Sequence, residues 1–127
     1  MEALRIEKTD ASPEIILDQE GNLFEISGKS RPEDVVQFYQ PVLDWLVEYQ
    51  KKPKPFTRFD FKLSYFNTAS SKLILDILMI LEEMKEEGNG VLVKWISLAS
   101  DEDMQEAGRE YQEIVDIPFE HATYDPL

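Results

Sequence analysis

The sequence predicts an α/β fold: one mixed, mostly β sheet packed against about three helices, in a single domain spanning residues 1–127. Three observations carry this expectation. Strand and helix periodicities alternate along the chain as strands, helix, strand, helix, strand, helix, strand, the order from which layered α/β folds are built. One stretch, Phe56–Gly88, changes period within itself, from the two-residue repeat of a half-buried strand to the three- and four-residue repeat of an amphipathic helix. The length of 127 residues and the hydrophobic fraction of 43% suit one domain with a core that needs no disulfide.

Taken in order, Leu4 and Ile6 suggest a short first strand, and Thr9–Pro13 a break. Glu14–Asp18 and Leu23–Ser27 flank Gln19-Glu20-Gly21-Asn22, where Gly and Asn tolerate positive φ, so a β-hairpin is expected. Ser30-Arg31-Pro32-Glu33 has capping-box spacing and should open a helix with Val35, Val36, Phe38, Tyr39, Val42, Leu43, Leu46 and Val47 on its apolar face. Pro41 should kink it, because proline lacks an N–H and crowds the preceding turn. Lys51–Pro55 is a stiff basic connector. In the central strand Phe59, Phe61, Leu63 and Tyr65 alternate with polar residues. Leu73, Ile74, Ile77, Leu78, Leu81 and Met84 then define the buried face of a second helix, stopped by Gly88-Asn89-Gly90. Val91–Leu98 reads as another strand. Ser100-Asp101-Glu102-Asp103 opens a third helix that runs to about Val115. Ile117-Pro118-Phe119 begins a last strand, placed at a sheet edge because proline cannot donate to a ladder.

The formal net charge is −13, from 26 acidic and 13 basic side chains. This disfavours nucleic acid and anionic membrane as partners; it reads first as a solvated acidic surface that favours solubility, with a basic protein partner as the alternative. The absence of cysteine excludes thiol catalysis and thiolate-held metals. The N-terminus lacks an apolar signal core, and Asp76 interrupts the longest apolar run, so no secretory leader or membrane span is expected and a cytoplasmic location is. No Walker loop, GxGxxG or GxSxG motif is present, and no cofactor or metal is expected. His121, the single histidine, stands near the edge strand, where a structural role is expected rather than a catalytic one.

Interest therefore falls on Asn67-Thr68-Ala69-Ser70-Ser71, the junction where the central strand hands over to the second helix. Small polar residues there cap helices, but three hydroxyls exceed what one cap needs. At about 100° per residue, Thr68, Leu75 and Met79 fall on one outward line, with Lys72 beside them and Asp76, Glu82 and Glu83 at the rim. Apolar residues on the outer face of a surface helix mark a partner contact. A phosphate on Thr68 would add about 1.5 to 2 negative charges beside that stripe without melting the helix.

FKLSYFNTASSKLILDIL resembles the central segment of the SiaC family of bacterial regulatory phosphoproteins. RPEDVVQFYQPVLDWLVEY resembles that family's first helix, and VLVKWISL with DEDMQEAGREYQEIVDIPFE its last strand, helix and edge. The resemblance covers residues 5–122 and implies a fold similar to the anti-sigma factor antagonist (STAS) domains. It implies a non-enzymatic partner-switching protein whose phosphorylated threonine is matched by Thr68. An anti-sigma-factor-like serine/threonine kinase would add the phosphate and a PP2C-type phosphatase remove it. The unmodified form would bind and stimulate a diguanylate cyclase, raising cyclic di-GMP and favouring biofilm formation. The surface expected to meet partners comprises Asn67, Ser70, Ser71, Lys72, Leu75 and Met79. Two other readings stand beside this one. In the first, a STAS-like module binds a protein or small apolar ligand constitutively, with Thr68 acting as a helix cap alone. In the second, an enzyme uses His121 and carboxylates.

Overall fold

The computed structural model describes residues 1–126, which follow one another as β1 (Leu4–Ile6), β2 (Glu14–Asp18), β3 (Leu23–Ser30), α1 (Val35–Lys51), β4 (Phe56–Phe66), α2 (Thr68–Glu86), β5 (Gly90–Leu98), α3 (Glu102–Ile114) and β6 (Phe119–Tyr124). The six strands form one sheet in the order of the sequence, β1-β2-β3-β4-β5-β6. β1, β2 and β3 pair antiparallel, and β3 through β6 pair parallel. The β2–β3 hairpin turns on Asn22, whose φ of 53° lies in the left-handed region that the sequence anticipated there. Each parallel connection is a helix, and all three helices cover the same face. Tyr49 of α1 bonds Thr57 of β4, Tyr111 of α3 lies against Trp95 of β5, and α2 buries Leu73, Ile74, Ile77, Leu78, Leu81 and Met84 in the same core. Among the described residues the other face, with Glu25, Arg58, Asp60, Lys62 and Lys94, carries no helix and stays wet or half-wet.

α2 lies between its two neighbours. Glu83 on one flank accepts a hydrogen bond from Gln50 of α1. On the other flank the Ser71 carbonyl accepts one from Tyr111 Oη of α3, and the Glu82 carboxylate accepts one from the backbone N–H of Asp116. Glu82 is thus a structural ligand of the segment after α3 rather than part of a freely solvated acidic rim.

Several expectations need correction. Ser30 does not open α1. It ends β3, fully buried, while Asp34 caps the helix by accepting the Gln37 N–H at 3.0 Å. Likewise Asp101, not Ser100, caps α3. The buried face of α1 includes Trp45 and Tyr49, which pack on Phe24 of β3, whereas Val36 and Val47 lie about a third of a turn off that face and are exposed. Pro41 falls inside α1, where the sequence placed it, on the helix's exposed side.

Tyr65 is the most informative departure. The β3–β4 register pairs Gly28 with Leu63 and then Lys29 with Tyr65, so β4 spends one extra residue, Ser64, at a bulge. An extra residue in a two-residue repeat exchanges the faces. Leu63 is buried, Tyr65 points out, and Phe66 turns toward the helices, within 6.5 Å of the Trp95 ring and 6.3 Å of Tyr111. The bulge stands directly before the strand-to-helix junction.

Candidate functional site

Asn67 begins the site. Its backbone is extended (φ −85°, ψ 173°), and its side-chain oxygen accepts the Ser70 N–H at 2.8 Å. It is therefore the N-cap of α2, and its own N–H is held by the Ser30 carbonyl at 3.0 Å. The expectation that Thr68 could serve as the cap is overturned: Thr68 is the first residue inside the helix. Its side chain is exposed, and among the described residues its hydroxyl makes no hydrogen bond.

The neighbouring hydroxyls are engaged. Ser70 is fully buried, donates to the Ser30 carbonyl at 2.9 Å and accepts from Ser30 Oγ at 2.9 Å. Ser30 Oγ also meets Tyr39 Oη of α1 at 2.6 Å. This chain of buried hydroxyls ties the first turn of α2 to β3 and α1. Burial holds the Tyr39 phenol neutral by pushing its pKa up to about 12. Ser70 is thus a core residue and is withdrawn from the surface expected to meet partners. Ser71 Oγ folds back to donate to the Thr68 carbonyl at 2.6 Å, while the Ser71 carbonyl is held by Tyr111 at 2.8 Å. Burial is also the main reason that the Tyr111 pKa is raised, so this phenol stays a hydrogen-bond donor.

Of the three hydroxyls at the junction, Thr68 alone is both exposed and unbonded among the described residues. It stands at the positive end of a 19-residue helix with no acidic residue in the first turn. Lys72 is one turn on, exposed, and in no ion pair among the described residues. Met79 continues the outward line and is 47% exposed. Leu75 differs from the expectation. It leans toward α3, half-buried, into a groove of about 400 Å³ lined by Phe66, Ala107, Tyr111 and Ile114 as well as Lys72.

Those α3 residues were missed by sequence reasoning. Their signal was present, since Ala107, Tyr111 and Ile114 recur at i, i+4 and i+7. The part contributed by Phe66 depends on the bulge at Ser64. His121 lies on exposed β6, with Nε2 2.7 Å from Gln112 Oε1 and its ring stacked on Phe119. Partial burial, then the Arg109 charge, lower its pKa. No group of three or more His, Asp or Glu side chains among the described residues is arranged to hold a metal ion.

The SiaC family of regulatory phosphoproteins matches residues 6–124. The chain belongs to the SiaC family. An uncharacterized protein of Pseudomonas aeruginosa strain UCBPP-PA14 is 30% identical over 125 residues, covering 98% of this chain and 99% of that protein. The crystal structure of apo-SiaC from P. aeruginosa superposes with a TM-score of 0.87 at 29% identity, over 96% of this chain and 99% of that one. SiaC bound to the diguanylate cyclase SiaD, of which it is the activator, superposes with a TM-score of 0.90 at 29% identity, over 95% and 99%. Membership bears out the resemblance read from the sequence, and the observed α/β sheet with three helices bears out the fold. No helix among the described residues is long and apolar enough to cross a membrane.

Proposed function

We propose that this SiaC-family protein is a non-enzymatic, cytoplasmic partner-switching regulator whose state is set by reversible phosphorylation of Thr68. In its unphosphorylated form it binds and activates a diguanylate cyclase. An anti-sigma-factor-like kinase adds the phosphate and a PP2C-type phosphatase removes it. The supporting observation is the division of labour at the junction. Asn67 caps, Ser70 is buried, Ser71 is folded back, and Thr68 offers an exposed, unbonded hydroxyl. A related SiaC has been captured with the cyclase it activates, which supports this class of effector.

The mechanism follows from charge and geometry. The unmodified face presents Thr68, Lys72 and Met79, with Asn67 and Ser71 behind and Leu75 at its edge. A phosphate there would be tolerated by the N-terminal N–H groups of α2 and would attract Lys72 one turn away. The helix persists, while the docking face gains negative charge and strongly bound water that a partner must displace.

The test titrates the cognate diguanylate cyclase with wild type, Thr68→Ala and Thr68→Asp, following cyclic di-GMP synthesis. Wild type and Thr68→Ala stimulate, whereas Thr68→Asp stimulates at least about tenfold less with an unchanged circular dichroism spectrum. Equal stimulation by Thr68→Asp, or a collapsed spectrum, refutes the switch.

A further inference from the structure

We propose that a hollow at the C-terminal ends of β3 and β4 binds a small oligophosphate anion, a ligand with two or more phosphate groups. The hollow measures about 400 Å³ and is lined by Lys8, Thr9, Asp10, Lys29, Arg31 and Ser64. None of these belongs to α2 or α3. The chain has twice as many acidic side chains as basic ones, 26 against 13, yet this wall carries three cations and one carboxylate. Lys8, Lys29 and Arg31 are exposed, and none of them is in an ion pair among the described residues. A concave wall dominated by one sign of charge concentrates ligands of the opposite sign.

The cations stand on a fixed frame. Thr9 Oγ1 accepts the Ala11 and Ser12 N–H groups at 3.2 and 2.9 Å, which folds this segment into a turn. The Ala11 carbonyl accepts the Arg31 N–H at 2.8 Å and so fastens the turn to the end of β3, while Ser12 and Pro13 are buried. Gly28 has a φ of 113°, and a Cβ there would lie 2.9 Å from Lys8 Cδ, so the missing side chain lets the Lys8 stem lie across the strand. Ser64, at the bulge, forms the β4 side of the hollow.

The wall selects the ligand. Arg31 offers the planar fork that suits a phosphate, and the two lysines add point charges. The cations come from two separate segments, around Lys8 and around Lys29 and Arg31. The volume falls within the range of small-molecule sites, about 300–1,000 Å³, more than one phosphate group fills. Among the described residues no aromatic or branched aliphatic side chain lines the hollow, so nothing stacks against a nucleobase. An acidic protein segment would set its outlying carboxylates against the acidic surface of this chain, and like charges across an interface oppose binding. A compact anion keeps its charge within the hollow.

The test titrates inorganic pyrophosphate into the full chain at about 0.1 M salt, where charges are screened over about 10 Å, followed by amide NMR and calorimetry. Wild type binds saturably, with shifts at residues 8–11 and 28–31. Lys29→Glu and Arg31→Glu each weaken binding at least about tenfold, and Lys8→Gln, which adds no negative charge, about threefold or more. Lys52→Glu changes an exposed cation beyond the opposite end of β4, about 26 Å of strand from Ser64, and stays within about twofold of wild type. The NMR spectra show at the same time that each variant is folded. No saturable binding by wild type, equal weakening by Lys52→Glu and Arg31→Glu, or shifts confined to residues 67–71 at the start of α2 overturns the inference. A glutamate-rich peptide that binds where pyrophosphate does not would likewise overturn it and assign the hollow to an acidic protein segment. Since no arm involves Thr68 or the cyclase, failure here leaves the phosphorylation switch standing, and failure of the switch leaves this site standing.

Discussion

Asn67→Ala and Thr68→Ala, one residue apart, should behave in opposite ways. Asn67 Oδ1 accepts the Ser70 N–H at 2.8 Å, so its removal orphans a donor in the first turn of α2. Losing such a cap costs about 1 kcal/mol, within a range of about 0.5–2. The unfolding entropy near the transition is about 2.1 cal/mol/K per residue. For 127 residues that is about 0.27 kcal/mol/K, so Asn67→Ala should lower Tm by about 4 °C. Thr68 makes no cap bond, and alanine is the better helix former, so Thr68→Ala should stay within about 0.5 kcal/mol of wild type. The assay is thermal unfolding by circular dichroism at neutral pH, paired with phosphorylation by the cognate kinase. Asn67→Ala melts early yet still accepts phosphate, whereas Thr68→Ala melts normally and accepts none. A Tm for Thr68→Ala as low as that for Asn67→Ala would mean that the threonine is structural, and the division of labour at the junction would fall.

Ser70→Ala removes the link joining α2 to Ser30 and Tyr39 and should destabilise by about 1–3 kcal/mol, read as an earlier denaturant midpoint without loss of phosphate on Thr68. Gly108→Ala would drive a methyl group into the Trp95 ring, within 2.7 Å of its Cγ, and should cost about 1–3 kcal/mol, visible in denaturant unfolding. Stability should fall at alkaline pH. Tyr39 ionises near pH 10 in the unfolded chain and near 12 in the folded one, so its contribution is complete below about pH 10 and is lost as pH rises toward 12. Equilibrium unfolding across that window checks the sign. The His121 ring should titrate below the ordinary histidine range by NMR, and His121→Ala should leave cyclase stimulation unchanged.

The architecture was legible where one residue type decides a conformation or a whole face repeats. Asn22 marked the hairpin, and the six apolar positions of α2 gave its buried side without error. What escaped the sequence was tertiary. The bulge at Ser64 reverses the faces of β4, sending Tyr65 out and Phe66 in, and no local pattern announces one extra residue. Ser30 has the spacing of a cap, yet its hydroxyl is taken by Tyr39 and Ser70, partners 9 and 40 residues away. The same long-range contact removes Ser70 from the surface. Thr68, Lys72 and Met79 were readable as a stripe because helical spacing alone places them together. Leu75 was displaced from that stripe by α3, whose position the sequence does not disclose.

The most direct test of the central claim is phosphosite mapping of the protein isolated from its native host, with full coverage of the peptide spanning Phe66–Lys72. Phosphate on Thr68, with Ser70 and Ser71 unmodified, is the predicted result. Phosphate on Ser70 or Ser71 instead, or none under growth conditions in which the kinase is active, would contradict it.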